Sequence, residues 1–384
     1  MERAARVTDY AMCARCVMDS TAEEIWFDEY GVCSFCHYFD EQVSPILERA
    51  RSDEGKRLFH QTIESIKKTG LNRPYDSILG LSGGGDSSYL ACLAVDSGLH
   101  PLAVHVDMGW NSDISERNVQ KAVSKLGLDL ERVTVDFEEM RDLQLAFYKS
   151  GVKNCEIPQD HAYLAALYRI ASKHGIRYYL SGGNMATESI LPGSWGYNAG
   201  DLRHLRAIHK RFGTGKLWHY PTLGFWQRYL YYPFVRGIRE VRLLNFIPYN
   251  NVEAKALLAE KLDWEDYGWK HFESTLTRFF QGYYLPTKYH IDKRKAHLSS
   301  LILSGQMTRE EAISELEKPP YSTEQAQADK DYVAKALGIA IMEWDQILAS
   351  PPRSHSDFPS LKRLFWIKGV VARLLGLKGA LRTG

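Results

Sequence analysis

The densest chemistry in this sequence lies in residues 78–90, which read Ile-Leu-Gly-Leu-Ser-Gly-Gly-Gly-Asp-Ser-Ser-Tyr-Leu. The apolar run 78–81 has the length and bounds of a short buried strand. Ser82-Gly83-Gly84-Gly85 then turns the chain, and from Ser87 onward the pattern is helical. A strand, a glycine turn and a helix in that order make an anion site. The glycines let backbone N–H groups converge with no Cβ in the way, and the helix N-terminus adds partial positive charge. Ser82, Ser87 and Ser88 add hydroxyl donors. Asp86 would repel a bare phosphate, so its place in the loop points to Mg²⁺ bridging its carboxylate and a pyrophosphate. Walker A is excluded because no lysine follows the glycines, and the dinucleotide fingerprint fails because position 88 is Ser.

Two further stretches carry ionisable or metal-binding groups. Cys13-Ala-Arg-Cys16 and Cys33-Ser-Phe-Cys36 have the two-knuckle spacing that lets four thiolates converge on one Zn²⁺. His37 is then a neighbour rather than a ligand, and a closed four-sulfur site folds its segment and does no chemistry. Residues 268–305 hold His271, Glu273, Arg278, Asp292, Arg294 and His297 among aromatics. A solvated face lacks such aromatic company, so these six are candidate substrate residues.

The elements that must position these groups alternate strand and helix from Tyr75, the mark of an α/β fold with a parallel sheet covered on both faces. Strands are expected at 78–81, 101–106, 130–135 and 176–180. Helices are expected at 41–51, 55–68, 112–126 with Ser112 or Ser115 as cap, 138–148, 160–174 capped by Asp160, and 323–350. Thr308-Arg309-Glu310-Glu311 reads as a capping box. Ligands in such sheets sit beyond the carboxyl ends of the strands. That places Asp107-Met108-Gly109 and Ser181-Gly182-Gly183 beside the phosphate loop.

With 384 residues there is room for one large domain and attachments, expected as a zinc-knuckle and helical module at 1–72, a nucleotide domain at 73–250 and a mainly helical region at 251–384. A net charge of +1 argues against a strongly nucleic-acid-binding surface. No apolar run approaches a membrane span and no signal-peptide pattern is present, so a cytoplasmic protein is expected. Residues 195–249 are aromatic and basic, read either as a groove or as a solvated surface over a core of Trp226, Tyr229 and Phe234. The tail from 361 onward carries Lys362, Arg363, Lys368, Arg373, Lys378 and Arg382 without an acid, a pattern open to an anionic membrane, a partner or a plain surface helix.

Ser82-Gly83-Gly84-Gly85-Asp86-Ser87 resembles the Ser-Gly-Gly-x-Asp-Ser loop of the PP-loop ATP pyrophosphatase superfamily (HUP-like fold). That resemblance implies ATP cleavage between the α and β phosphates, with Ser82, Asp86 and Ser87 in the catalytic loop. It also implies nucleotide binding by residues 82–88, by Asp107 and Gly109, and by Ser181, Gly182 and Gly183. Together with Cys13-Ala-Arg-Cys16-Val-Met-Asp, Lys270-His-Phe-Glu273-Ser-Thr-Leu-Thr-Arg278-Phe-Phe-Gln281 and Asp292-Lys-Arg-Lys-Ala-His-Leu-Ser299-Ser300, the chain is similar over roughly residues 10–318 to the N-acetyl sugar amidotransferases of bacterial surface-polysaccharide pathways. Membership implies turning the acetamido group of a nucleotide-linked sugar into an acetamidino group with ATP, Mg²⁺ and ammonia. It implies, too, a separate glutaminase subunit with a cyclase-like barrel companion. The residues themselves leave ammonia either free or delivered by a partner, since Cys92 and Cys155 lack the setting of a glutaminase nucleophile. The alternatives are a tRNA-thiolating PP-loop enzyme, for which site cysteines are hard to assemble here, a non-catalytic ATP-binding scaffold, and an asparagine-synthetase-like enzyme.

Overall fold

Unbroken buried runs along the central strands decide the layering. In the computed structural model, which describes residues 10–374, strands β1 (Ser77–Gly80), β2 (Pro101–Asp107), β3 (Leu130–Thr134), β4 (Tyr178–Leu180) and β5 (Arg239–Val241) form one sheet. Their spatial order is β3-β2-β1-β4-β5, and each neighbouring pair is parallel. Ile78, Leu102, Val104 and Tyr179 face one core, against Ala162, Ala165 and Ala166 of the Ile157–Lys173 helix. Leu79, Leu81, Ala103 and Leu180 face the other, against Leu90, Ala91 and Ala94 of the Gly85–Asp96 helix and Val119 and Ala122 of the Asp113–Leu126 helix. Because successive side chains of a strand point to opposite faces, an unbroken apolar run needs helices on both. The expected α/β class holds.

Chain order reverses between β1 and β4, so the loops leaving their carboxyl ends face each other across the switch point where such sheets bind ligands. β5 lies in the aromatic and basic region and has no apolar run to announce it. Its Arg-Glu-Val sequence pairs at the sheet edge with Tyr178–Leu180.

Helix ends depart from expectation where a local group intervenes. Residues 323–350 form two helices, Thr323–Leu337 and Ile341–Ala349, because Gly338 takes a left-handed φ of 72° and ends the first. Asp160 does not cap its helix, which begins one turn earlier at Ile157 with Pro158 in its first turn. Ser112 caps the Asp113–Leu126 helix, accepting from the Ser115 N–H at 3.2 Å. Thr308 and Glu311 form the expected capping box. Among the described residues no helix is long and apolar enough to cross a membrane. Lys378 and Arg382 of the tail lie outside those residues.

The N-terminal knuckles pack onto the C-terminal helices rather than standing apart. Arg309 donates to the carbonyls of Cys16 and Cys13 at 3.1 and 2.9 Å, and Val17 N–H reaches Ser299 Oγ at 3.2 Å. Lys295 pairs with the fully buried Asp19. The knuckles thus pack as one unit with the Arg294–Leu303 and Arg309–Glu317 helices.

Candidate active site

The loop after β1 is shaped by what surrounds Gly83. Its φ is 79°, and a Cβ there would stand 2.3 Å from the Ser115 carbonyl oxygen, so only glycine fits. The Gly83 carbonyl is held by Trp264 Nε1 at 2.9 Å and Asn118 Nδ2 at 3.3 Å. The Gly85–Asp96 helix starts from Gly84 with no side-chain cap, which leaves its first N–H groups for a ligand. Gly85 N–H meets only the Tyr267 hydroxyl, at 3.1 Å. Ser82 and Ser87 hydroxyls lie 3.2 Å apart at the loop mouth, with Ser82 accepting from Gly84 N–H at 3.2 Å. Ser88 is buried, and its hydroxyl has no partner.

Asp86 is the hub of a charged cluster. Lys270 Nζ lies 2.8 Å from its carboxylate and 2.8 Å from Glu188, and donates to Thr187 Oγ1 at 3.0 Å. Tyr249 OH also donates to Asp86, and Asn184 Nδ2 approaches at 3.4 Å. Burial alone would disfavour the Lys270 ammonium, but Asp86 and Glu188 outweigh it and hold the proton more tightly than usual. Glu188 is likewise kept ionised by Lys270 against desolvation. A Cβ added at Gly182 would stand 3.5 Å from the backbone of Asp86 and Ser87, so the β4 loop abuts the phosphate loop. As an oxygen donor at the head of the loop, Asp86 suits Mg²⁺, which is hard and takes one or two carboxylates plus phosphate oxygens.

Two clefts open here, one at the phosphate loop and one at Glu188 and Lys270. One of about 320 Å³ begins at Leu81 and Ser82 and is walled by Val106, Met108, Trp110 and Tyr163. The other, about 310 Å³, is lined by Thr187, Glu188, Trp269, Lys270, Arg294 and His297. They share His271, Gln281 and Lys293. His271 is held at a φ of 68°, a strained conformation for a side chain that is not glycine. Glu156 accepts from Gln281 at 3.1 Å and from Lys293 at 3.2 Å, which ties the junction to the start of the Ile157–Lys173 helix.

Glu273 sits against Gly84. Its backbone carbonyl accepts from Ser112 N–H at 3.0 Å, and its Oε2 is buried without a partner. Burial, reinforced by Asp86, pushes its carboxyl up to about 7. The sign of the effect on stability follows. Between the ordinary glutamate value and 7 the unfolded chain ionises this group while the folded chain does not, so stability falls as pH rises and the loss levels off above 7. Glu273→Gln is expected to gain on the order of 2–3 kcal/mol over the native protein at pH 8.5 and nothing at pH 4.5, by chemical denaturation at the two values. Equal gains at both would show that Glu273 is not the titrating group.

The candidate substrate residues fall into two groups. His271, Glu273, Arg294 and His297 line the clefts; His297 Nδ1 is 3.0 Å from the Thr187 carbonyl oxygen. Arg278 turns away to a bidentate pair with Asp329, at 2.6 and 2.7 Å, and binds the Thr275–Phe279 and Thr323–Leu337 helices. Asp292 accepts from Arg294 Nε at 3.0 Å, steering the guanidinium onto the carbonyls of Glu315 and Lys318. Asp107 accepts from Gly109 N–H at 2.9 Å and shapes the turn that brings Met108 and Trp110 into the cleft. Ser181 accepts from Gly183 N–H at 3.4 Å in the β4 loop. Sequence reasoning did not single out Lys270, Glu188, Asn184 or Tyr249. Adjacency was the available signal for two of them, since Lys270 precedes His271 and Asn184 follows Gly183.

The four cysteines converge. Their sulfurs all lie within 4.8 Å of one another, with Cys13–Cys36 at 3.7 Å and Cys16–Cys33 at 3.6 Å, and all four are buried. Thiolates roughly 2.3 Å from a tetrahedral zinc stand about 3.8 Å apart, so the cluster fits that ion. Cys33 N–H at 3.2 Å and Arg15 N–H at 3.3 Å from Cys13 Sγ would share the thiolate charge. His37 pairs with Asp28 at 2.9 Å, outside the cluster.

A stretch of about a quarter of the chain, toward its C-terminus, has a sequence counterpart. Residues 273–371 match the family model "LPS biosynthesis protein WbpG-like, C-terminal domain". This stretch is WbpG-like. The match supports the resemblance drawn from the sequence, and the WbpG-like stretch supplies Glu273, Gln281, Lys293, Arg294 and His297 to the clefts. No curated protein is significantly similar in sequence to the whole chain. Among solved structures, an NH3-dependent NAD synthetase from Campylobacter jejuni subsp. jejuni is 16% identical over 41% of this chain and 72% of its own, with a TM-score of 0.29. An NMN synthetase from Francisella tularensis is 14% identical over 55% and 97%, TM-score 0.29. An NAD+ synthetase from Burkholderia pseudomallei is 17% identical over 56% and 91%, TM-score 0.28. At such scores these likenesses carry no weight for the reaction.

Proposed function

We propose that this chain is an ATP-dependent amidotransferase that adenylates the acetamido oxygen of a nucleotide-linked N-acetyl sugar and replaces that oxygen with ammonia. The observation that carries this reading is the pair of clefts joined at His271, Gln281 and Lys293, one beginning at the phosphate loop and the other lined by the WbpG-like stretch. An amide oxygen is a poor leaving group, so it must first be activated. It attacks the α phosphorus, and pyrophosphate departs with the electron pair of the broken P–O bond. Ammonia then adds to the imidate carbon and loses protons, and the C–O bond breaks with its pair going to AMP.

The chain's own groups match these needs. Loop N–H groups and the Ser82 and Ser87 hydroxyls would hold the phosphates where charge develops. Asp86 would hold Mg²⁺, which when bound supplies charge neutralisation on the pyrophosphate. Lys270 adds a fixed positive charge beside it. Glu273, poised near neutral pH between the phosphate loop and the first cleft, is suited to take a proton from the attacking ammonia. Val106, Met108 and Trp110 would take the adenine.

Ammonia would come from a separate glutaminase subunit with a cyclase-like barrel companion. Outside the zinc-type cluster the cysteines are Cys92 and Cys155, both buried and with thiols pushed up by desolvation, which suits neither a glutaminase nor a sulfur relay. The same reading divides the chain at about 72 and 250, places it in the cytoplasm and needs no nucleic acid.

Zinc would act through position. The knuckles hold Ser299, on the helix that carries Arg294, Ala296 and His297 to the second cleft, and Arg309, on the helix that follows it. One zinc per chain is expected by elemental analysis. Cys33→Ser should lose it and raise the KM for sugar by tenfold or more while changing that for ATP by less than threefold. A zinc-free native protein with full activity would refute the structural role.

The deciding experiment is mass spectrometry after incubation with ATP, Mg²⁺, ammonium and a panel of nucleotide-linked diacetamido sugars. An amidine product is about one mass unit lighter than its amide and carries a new positive charge, with AMP and pyrophosphate formed alongside. If no sugar in the panel is converted while tRNA stimulates pyrophosphate release, the reading fails.

A further inference from the structure

Two segments of this nearly neutral chain contain no acid at all. Residues 202–239 hold eight lysines and arginines and residues 358–384 hold six, with no Asp or Glu in either. The tertiary structure brings them together. Phe365 of the Lys362–Leu374 helix packs on Phe225 and Tyr229, with ring centres 5.4 and 6.0 Å apart, and Lys368 Nζ sits 4.0 Å above the Tyr229 ring. Among the described residues, from Arg203 to Arg239 and from Lys362 to Lys368, none of these lysines and arginines forms an ion pair, although charged groups elsewhere on the surface are widely paired. Lys368 is crowded by burial and by Arg228, with no carboxylate to relieve it, and its ammonium is pushed down to about 8.

The outward faces of the same two elements are apolar. On the π-helical stretch Gln227–Val235 and the residue before it, Trp226 is 61% exposed, Phe234 70% and Val235 70%, with Leu230 and Tyr231 beside them. Trp226 and Phe234 therefore do not form the core expected of them; only Tyr229 is buried. On the last helix Trp366 is 67% exposed, with Ile367 and Val371 on the same side. A cavity of about 660 Å³ opens at the start of that helix, lined among others by Arg353, Lys362, Ser354 and His355. Its acid, Glu23, is already paired with Lys153.

We propose that the Gln227–Val235 stretch and the Lys362–Leu374 helix together form a surface that docks on an anionic lipid membrane, aromatic residues entering the headgroup boundary and the surrounding unpaired cations meeting lipid phosphates. Exposed tryptophan and phenylalanine on segments rich in lysine and arginine is the composition of interfacial binding, where the rings lie at headgroup level and the cations meet negative surface potential. A protein partner would favour an interface core poor in lysine, with acids of its own at the rim. The absence of any acid over both segments is what matches a sheet of phosphates. This inference does not rest on the amidotransferase reading.

The test is flotation of the full chain with vesicles of phosphatidylcholine alone or with equal phosphatidylglycerol. Binding is expected to the anionic vesicles only, weakening at least tenfold between 50 mM and 500 mM salt. Trp226→Ser, Phe234→Ser and Trp366→Ser combined should lower it at least tenfold with an unchanged thermal melt, as should Lys362→Glu with Arg363→Glu. Failure of the native chain to float with anionic vesicles at low salt would overturn the proposal. So would equal binding to both vesicle types. A native dimer that the triple aromatic variant converts to monomer would overturn it too, because the face would then be covered by a second copy.

Discussion

Asp86→Asn is expected to lower ATP-dependent AMP formation on the order of 10²–10³-fold while leaving the fold intact, as measured by pyrophosphate release with saturating ammonium. The reason lies in what Asn keeps and what it loses. The side chain keeps its shape in the first turn of the Gly85–Asp96 helix and can still accept from Tyr249 and meet Asn184. It loses the negative charge, and with it the ability to hold a divalent cation against the phosphates. Lys270 retains Glu188 as a partner at 2.8 Å, so no buried ammonium is stranded. The expected pattern is therefore a fall in kcat with a modest change in KM for ATP, partly restored at raised Mg²⁺ or by Mn²⁺. A variant with native turnover would remove Asp86 from the reaction and with it the PP-loop mechanism proposed here.

Removing the partner should do the opposite, striking stability harder than any other single change in the site. Lys270→Met keeps the length and apolar stem but withdraws the ammonium from Asp86, Glu188 and Thr187. The two carboxylates are then left facing each other in a pocket where the Lys270 and Asp86 side chains are only 16% and 20% exposed. Breaking a buried ion pair from one side costs about 3–5 kcal/mol, because the remaining charge stays desolvated and unpaired. That loss should appear in chemical denaturation as a lower midpoint with little change in slope. Restoring neutrality with Glu188→Gln in the Lys270→Met background should recover part of it. A loss below 1 kcal/mol would mean that water already satisfies these carboxylates and that the cluster is not a structural hub.

Much of the architecture was legible because its causes are local. The apolar run at 78–81, the glycines behind it and the serines beyond specify a strand, a turn and a helix through backbone sterics alone, and the structure places each of them there. The paired Cys-x-x-Cys spacing made convergence of four sulfurs readable, since three residues' separation keeps the two sulfurs of each knuckle close. The Thr308 capping box is the same kind of fact, being a reciprocal hydrogen bond within four residues. Where expectation failed, a short polar edge strand, a helix-ending glycine or a proline at a helix start tipped a balance that side-chain period does not record.

What only the tertiary structure decided is which charges meet. Nothing in the spacing of Asp86, Glu188, Tyr249 and Lys270 announces a shared site, since 184 residues separate the ends of the Lys270–Asp86 contact. Their convergence follows from the reversal of strand order at β1 and β4, which sets two loop ends face to face, and from the packing of the WbpG-like stretch across them. The same packing sorted residues that looked alike in sequence. It turned Arg278 to Asp329 and Arg294 to Asp292, brought His297 to the cleft, and left Trp226 and Phe234 on the outside. Local sequence determines the backbone's short-range geometry, because those energies act between neighbours. The partner of a charge is set by the closure of the whole chain, where long-range burial decides which polar groups must find one another.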